Sequence, residues 1–388
     1  AVMEDGVQMV MLSANDGLTE SAAVVSLPAF YLITLMDGNS SLGQIGDKFY
    51  DQFHVKVPEK EIDNLVAKLD EALLLDNEKY RAHWEASLME FNASPTRLPA
   101  HAGKSYPADP KELAELMARI TDAQPAGHGE AESVIVPHID FRVGASMMAQ
   151  GWREIPSGTD DLIIILGTGH YLANDFFSCI DKDFDTPLGR MKVDRDFLSS
   201  LARNFGEDLF QNPAAHKGEH SIEFQALFMA SRAKTSPGQK CVPILLSFPE
   251  NIFDIDHPVF NGPRLDRFIT ALAKTAAGYG KKVRYVASVD LAHIGARFGD
   301  EEPLTTARLK QVEQEDMELV DTFTKLDTKG FLERITRINQ KNRVCGFPAL
   351  YLLSRLTKAG HGKMLSYRQN VEGEMENMVS FTTMALYE

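Results

Sequence analysis

Residues 134–170 read VIVPHIDFRVGASMMAQGWREIPSGTDDLIIILGTGH. Two short apolar runs, residues 134–136 and 162–166, each lead within a few residues to a histidine, His138 and His170. Between them lies a helix-compatible segment rich in Ala and Met that ends near Trp152. Continuous apolar runs of this length, bounded by turn residues, are the pattern of strands buried on both faces, and a helical crossover makes such strands parallel members of one sheet. In open α/β sheets the loops at the carboxyl ends of the strands carry the working side chains, so both histidines are expected on the same sheet edge. Three later segments bring further polar groups to strand ends or helix starts: Glu219-His220-Ser221, residues 288–293 and Cys345-Gly346. A hydrophobic core does not require this series, and the expectation is a metal site in an α/β domain.

The rest of the chain sets the bounds on that reading. Its 388 residues exceed the usual size of one domain, and 44% apolar content is that of a globular protein with a sizeable core. A formal charge of −15 speaks against a nonspecific nucleic-acid or anionic-membrane surface. The three cysteines, Cys179, Cys241 and Cys345, form no CxxC pair. That composition fits a reducing, cytoplasmic compartment better than a disulfide scaffold or a cysteine-ligated iron–sulfur cluster. The longest early apolar stretch, residues 22–36, is interrupted by Ser26, Pro28 and Thr34, falls short of a bilayer span and follows no basic leader.

Residues 1–90 are expected to form a small winged-helix-like accessory domain. One helix is expected over residues 20–36, capped by Thr19 or Ser21, and a second from Ser40 or Ser41 to Tyr50. The third follows Pro58, with Ile62, Leu65, Val66, Leu69 and Leu73 as one apolar stripe. Residues 73–75, 76–77 and 78–82 then read as strand, turn and strand. Sixteen Asp or Glu against six Lys or Arg give this region a net charge of −10, the wrong sign for neutralising phosphates. In architecture it resembles the peptide-binding winged-helix modules that accompany radical-SAM peptide-modifying enzymes, which implies a peptide or a radical-SAM system protein as partner. An acidic cap packed on the main domain is the other reading.

Residues 91–107, with Pro95, Pro99 and Pro107, are read as the linker and domain entry, and residues 108–388 as the main α/β domain. Asp109-Pro110-Lys111-Glu112 has the spacing of a helix start. Further helices are expected from Asp194, over residues 221–230 with His220 at the beginning, and over 265–277, 303–324 and 347–356. Strands are expected over 242–248, 283–289, 363–368 and 378–386.

His138, His170 and Cys345 are the candidate metal ligands. A thiolate at a helix amino terminus is stabilised by unpaired amides, and two neutral imidazoles with one thiolate suit Fe(II), copper or Zn(II) better than Mg(II). Three protein ligands leave a position for water or substrate. His220, Asp290 and His293 are the candidate catalytic residues, because imidazole transfers protons near neutral pH or orients a metal-bound water. Gly167-Thr168-Gly169 belongs to neither a GxxxxGK[ST] nor a GxGxxG pattern, so no nucleotide cofactor is expected.

Taken in order, Pro137-His138, Leu166-Gly167 with His170, Glu219-His220-Ser221-Ile222-Glu223, Ser288 with Asp290 and His293-Ile294-Gly295, and Cys345-Gly346 resemble the motifs of the MEMO-like proteins, in particular the AmmeMemoRadiSam system protein B group. The likeness covers about residues 97–388. It implies a LigB-like fold, related to class III extradiol dioxygenases, with a central mostly parallel or mixed sheet between helical layers. It places His138, His170 and Cys345 at the family's metal positions and His220, Asp290 and His293 in the same cleft. Iron or copper is the implied metal, with zinc as the other fit. The implied function is a redox or dioxygenase-like reaction on a small molecule or modified peptide, with non-catalytic binding or metal-dependent hydrolysis as alternatives. Cys345 stands where the related dioxygenases have a carboxylate. This chain also carries Ile139, Asp140 and Phe141 where His-Ala-Gly-Tyr is the commoner family pattern, and Asp140 becomes a further polar cleft candidate.

Titrated with mixed-sequence duplex DNA at low salt, the protein shows no tight, salt-sensitive complex; a complex that weakens steeply with salt would contradict the electrostatic reading.

Overall fold

The structure is a computed structural model that describes the chain except for residues 1, 5, 6, 15, 20, 126, 128, 173, 174 and 249–261. Two compact units divide at residues 93 and 94.

Unit 1 begins with a three-stranded antiparallel sheet, β1 (Val2–Glu4), β2 (Val7–Ser13) and β3 (Ala22–Ser26), followed by α1 (Leu27–Thr34), α2 (Leu42–Phe53), α3 (Glu59–Glu71) and α4 (Glu78–Ala93). The helix expected over 20–36 is therefore strand in its first part and helix only from Leu27. The β-branched pair Val24-Val25 aligns with Met11 and Val10 across β2, and the helix starts only where Ser26 can cap it, with Oγ accepting from the amide of Ala29 and Pro28 in the first turn. Ser41 and Gln44 form a capping box on α2. Leu73 does not extend the α3 stripe, because the helix ends at Glu71 and Leu73 takes a left-handed backbone with φ 59°. The strand–turn–strand expected over 73–82 is also replaced. Asn77 Oδ1 accepts from the amide of Tyr80 at 3.0 Å, so the Asp-Asn pair read as a hairpin turn opens a helix instead. Val25, Leu32, Ile45, Phe49, Ile62, Leu65 and Leu69 form the core of the unit.

Unit 2 is built on an eight-stranded mixed sheet among the described residues. Its parallel centre comprises β5 (Ser133–Val136), β6 (Leu162–Thr168), β10 (Cys241–Leu246) and β11 (Val283–Ser288). Around it lie β7 (Phe177–Cys179), β12 (His293–Gly295) and a long terminal hairpin, β13 (His361–Glu372) and β14 (Asn377–Tyr387), all antiparallel to their neighbours. The order is β12-β14-β5-β11-β6-β10-β7, with β13 on β14. The two strands of the opening stretch are thus parallel but not adjacent, since β11 lies between them. Register matters most here: Val136, Ser288 and Gly167 are level, so the chain leaves all three strands at one edge.

A smaller sheet joins β4 (Thr96–Arg97), β8 (Asp183–Thr186) and β9 (Gly189–Met191). The central strands are buried at almost every position, which requires cover on both faces. α5 (Pro110–Asp122), α6 (Phe141–Trp152) and α8 (His220–Ser231) pack together, with α6 and α8 against the sheet. α12 (Phe347–Leu356) also packs on β6 and β11 and meets α9 (Pro263–Ala277), which in turn packs on α7 (Arg195–Phe205). α10 (Thr306–Thr324) packs on β13 and on α11 (Thr328–Asn342); the latter has no counterpart among the sequence-based expectations, although Phe331, Ile335 and Ile338 are its buried stripe. No described helix is long and apolar enough to cross a membrane.

α10 is tied to the hairpin by a buried carboxyl. Asp316 Oδ2 accepts from Tyr367 OH at 2.9 Å and from Ser380 Oγ at 2.6 Å, and burial pushes this group up to about 7. Below about pH 4 the carboxyl is protonated in folded and unfolded chains alike. As pH rises towards 7 the unfolded chain ionises it freely while the folded chain resists, so stability is lost across that window. Asp316→Asn, whose amide oxygen still accepts both bonds, is expected to gain on the parent protein as pH rises from 4 to 7, reaching on the order of 2 kcal/mol and levelling off above 7. Urea unfolding of both proteins at pH 5 and pH 8 measures the difference.

Candidate metal centre

Each of the three central strand ends delivers a polar group. After β5, His138 donates from Nδ1 to the carbonyl of Ser288 at 2.8 Å, and its backbone amide donates to Asp290 Oδ1 at 3.1 Å. With Nδ1 committed as a donor, Nε2 is the ring nitrogen left to face the site, and it lies 3.4 Å from Cys345 Sγ. After β6, His170 turns Nδ1 to Glu219 Oε1 at 3.0 Å, and its backbone amide donates to Glu219 Oε2 at 2.8 Å. Its side chain also hydrogen-bonds Cys345. Cys345 arrives from the turn before α12. Gly346 makes that approach possible: a Cβ there would stand 2.4 Å from Val289 Cβ and 2.7 Å from the carbonyl oxygen of Asp290. Ligating atoms of His138, His170 and Cys345 all lie within 4.8 Å of one another.

These donors fit a transition metal. Bonds of about 2.0–2.3 Å from nitrogen and sulfur need only a modest contraction of the set, and two imidazoles with one sulfur match iron, copper or zinc. The electrostatics act in the same direction. Burial alone would raise the Cys345 thiol, but the charge of His138 and hydrogen bonds from both histidines outweigh it and bring it down to about 7. Burial opposes a charge on His170, yet Glu219 and Cys345 hold it well above its ordinary range. Burial would likewise raise Glu219, and the two neighbouring histidines with the Ser221 amide bring it well below the usual carboxylate range.

Of the remaining candidates, His220 and Asp290 adjoin this group. His220 stacks on His170 with ring centroids 4.8 Å apart and meets His138 edge-on at 5.3 Å, while burial holds it well below its ordinary range. Asp290 Oδ2 is 3.7 Å from His138 Nε2, and burial pushes its carboxyl up to about 6. His293 donates from Nδ1 to the carbonyl of Leu291 at 3.0 Å and packs edge-on against Phe298. Asp140 caps α6 by accepting from the amide of Arg142 at 2.9 Å, and it also accepts from Arg142's guanidinium and from Ser105 Oγ.

A family profile described as "Memo-like protein" matches residues 97–385. The chain belongs to the Memo-like family. Relatives include a MEMO1 family protein of Aquifex aeolicus, 27% identical over 362 residues that cover 92% of this chain and 90% of the relative. One from Thermus thermophilus is 25% identical over 357 residues, covering 90% and 100%. A third, from Methanosarcina barkeri, is 25% identical over 292 residues, covering 74% of this chain and 97% of the relative.

The Memo-like region also contains supporting contacts that the motifs did not reveal. Arg97, fully buried, pairs with Glu223 and donates from Nε to the carbonyl of His216 and from Nη2 to that of Glu219. Glu223 also accepts from the amides of Ala100 and His101 and from Tyr106 OH. Behind them, Trp152 Nε1 donates to Gln225 Oε1, Gln225 Nε2 donates to Ser288 Oγ and the carbonyl of Pro137, and Ser288 Oγ donates to the carbonyl of Ser221. Glu219 was visible only as an acid before a helix start, and nothing in the spacing linked Arg97 to a residue so far along the chain. Breaking the buried pair strands a charge, so Glu223→Ala is expected to lower the stability of unit 2 by about 3–5 kcal/mol, measured by urea unfolding followed through the tryptophan fluorescence.

Proposed function

We propose that this Memo-like protein binds a divalent transition metal, iron or copper in preference to zinc, through His138, His170 and Cys345, and that it carries out a redox or oxygen-using reaction on a small molecule or a modified peptide. The observation behind the proposal is one sulfur, drawn towards thiolate character, among imidazoles whose Nδ1 atoms are already occupied. A redox-active metal held there supplies one-electron chemistry and a Lewis acid.

The protein's own groups supply the rest. His138 and His170 present nitrogen lone pairs in fixed orientations, and Cys345 supplies the soft anion. Asp290, raised by burial to about 6, takes up and releases a proton just below neutrality at a carboxyl that faces His138, and His220 and His293, kept neutral by burial, accept protons. The implied kinship with LigB-like dioxygenases supports open coordination positions; ring cleavage does not follow from fold likeness. Metal-dependent hydrolysis is the alternative that zinc would favour.

We assign unit 1 to binding a peptide or protein partner. Its acidic charge supports this, as do Met11 and Val24, exposed cross-strand neighbours, with Leu27 and Phe30 exposed on α1. The three cysteines are free thiols, in keeping with a reducing, cytoplasmic setting.

Metal content of protein expressed in its own host, measured with absorption and electron-spin spectra, tests the proposal. Iron or copper supports the redox reading, and zinc moves it to hydrolysis. Among variants loaded at matched concentrations, Cys345→Ala is expected to lose most of its metal. His220→Ala and His293→Ala should lose no more than about 10- to 100-fold in affinity while changing the spectrum or the reaction. If His293→Ala empties the site and Cys345→Ala leaves it unchanged, the two roles are reversed.

A further inference from the structure

Glu219 is a buried acid at the start of α8. It is 1% exposed, and its charge is met by histidines and backbone amides. Oε1 accepts from the amide of Ser221 at 2.9 Å and faces His170 Nδ1 at 3.0 Å and His220 Nδ1 at 3.3 Å. Oε2 accepts from the amide of His170 at 2.8 Å and lies 3.2 Å from His170 Nδ1. An ionised carboxylate only accepts hydrogen bonds, so the imidazole nitrogens facing it carry the hydrogens. In its neutral form each ring is then left with its lone pair on Nε2.

Ligating atoms of His170, Glu219 and His220 also lie within 4.8 Å of one another, which at first sight marks a second metal site. The hydrogen bonds exclude that reading in this geometry. Both carboxylate oxygens are filled by donors, and the ring nitrogens nearest the carboxylate are the protonated ones. The backbone around Glu219 is held as firmly. Arg97 Nη2 donates to its carbonyl at 2.8 Å, the side chain caps α8, and Ser221 Oγ donates to the carbonyl of Thr168 at 2.8 Å. α8 reaches this position because β6 has Gly167 beneath it, where a Cβ would stand 2.7 Å from Ile222 Cγ1 and from Ser221 Oγ.

We propose that Glu219 is a positioning residue that fixes the tautomer of both His170 and His220. It thereby determines that His170 meets the metal through Nε2 and that His220, stacked on it, keeps Nε2 free to accept a proton. The ligand role of His170 rests on the function proposed above; the tautomer assignment does not. One carboxylate then couples a ligand to a base, a link that neither histidine reveals alone. His138 is independent of it, because its Nδ1 donates to the carbonyl of Ser288.

The test is nitrogen-15 NMR of the histidine side chains in the full-length, metal-free protein, at a pH where the imidazoles are neutral, together with zinc titration. The parent protein is expected to show the Nδ1–H tautomer for His138, His170 and His220. Glu219→Gln keeps the shape but replaces one acceptor with an amide that faces N–H donors. It should turn at least one of His170 and His220 to the Nε2–H tautomer, leave His138 unchanged as an internal sign of correct folding, and weaken zinc binding by about 10- to 100-fold. Glu219→Asp, which retains a carboxylate, should keep the Nδ1–H tautomers. An Nε2–H tautomer at His170 or His220 in the parent protein would overturn the proposal without any variant. So would a Glu219→Gln protein with unchanged tautomers and zinc affinity. If the parent protein bound no metal yet showed the expected tautomers, the metal function would fail and the positioning role would stand.

Discussion

Arg97 and Glu223 lie side by side with almost no access to water, and the working edge of unit 2 depends on that pair. Burying two charges costs several kcal/mol unless their remaining donors and acceptors are met. Here they are met by the site's own backbone. The guanidinium donates to the carbonyls of Leu98, His216 and Glu219, and the carboxylate takes the amides of Ala100 and His101 and the Tyr106 hydroxyl. The first strand of unit 2 is thereby clamped to α8, and α8 carries Glu219 and His220. On the sheet side, Gly167 lets the same helix approach β6. Together these contacts fix where two of the cleft imidazoles can stand.

From that clamp the polarity of the cleft follows. Glu219 faces the Nδ1 side of two rings and the Ser288 carbonyl accepts from Nδ1 of the third, which leaves His138 to meet the sulfur of Cys345 through Nε2. The sulfur in turn is drawn towards the thiolate by the histidines around it. This is an arrangement in which supports outside the ligand set decide which atom of each ligand is offered. Asp290 belongs to the same system from the other side, accepting from the amide of His138 while burial raises its carboxyl to about 6.

Much of this was legible in the sequence, for identifiable reasons. Apolar runs at 134–136 and 162–166 have the pattern of strands buried on both faces, and a helix between them favours a parallel arrangement, so the shared edge of His138 and His170 was expected. Cys345 was legible because a thiol before an apolar helix has a physical reason to be there. What local pattern cannot carry is adjacency: β11 inserts between β5 and β6, and no periodicity records strand order. The amino-terminal region misled where one signal serves two structures. Asp76-Asn77 suits a turn and a helix cap equally, and residues 22–26 suit a strand as well as a helix once a partner strand is present. Arg97 escaped notice, and Glu219 was read only as part of a polar helix start, because their roles lie in contacts with distant parts of the chain or with backbone atoms, which leave no spacing to read.

The central claim is that two imidazole nitrogens and the Cys345 sulfur bind one metal ion. X-ray absorption of the iron- or copper-loaded protein tests it most directly. The account predicts a first coordination shell with one sulfur at about 2.3 Å and at least two nitrogens at about 2.0–2.1 Å, the sulfur vanishing in Cys345→Ala. A shell of nitrogen and oxygen alone, with no sulfur, would contradict it.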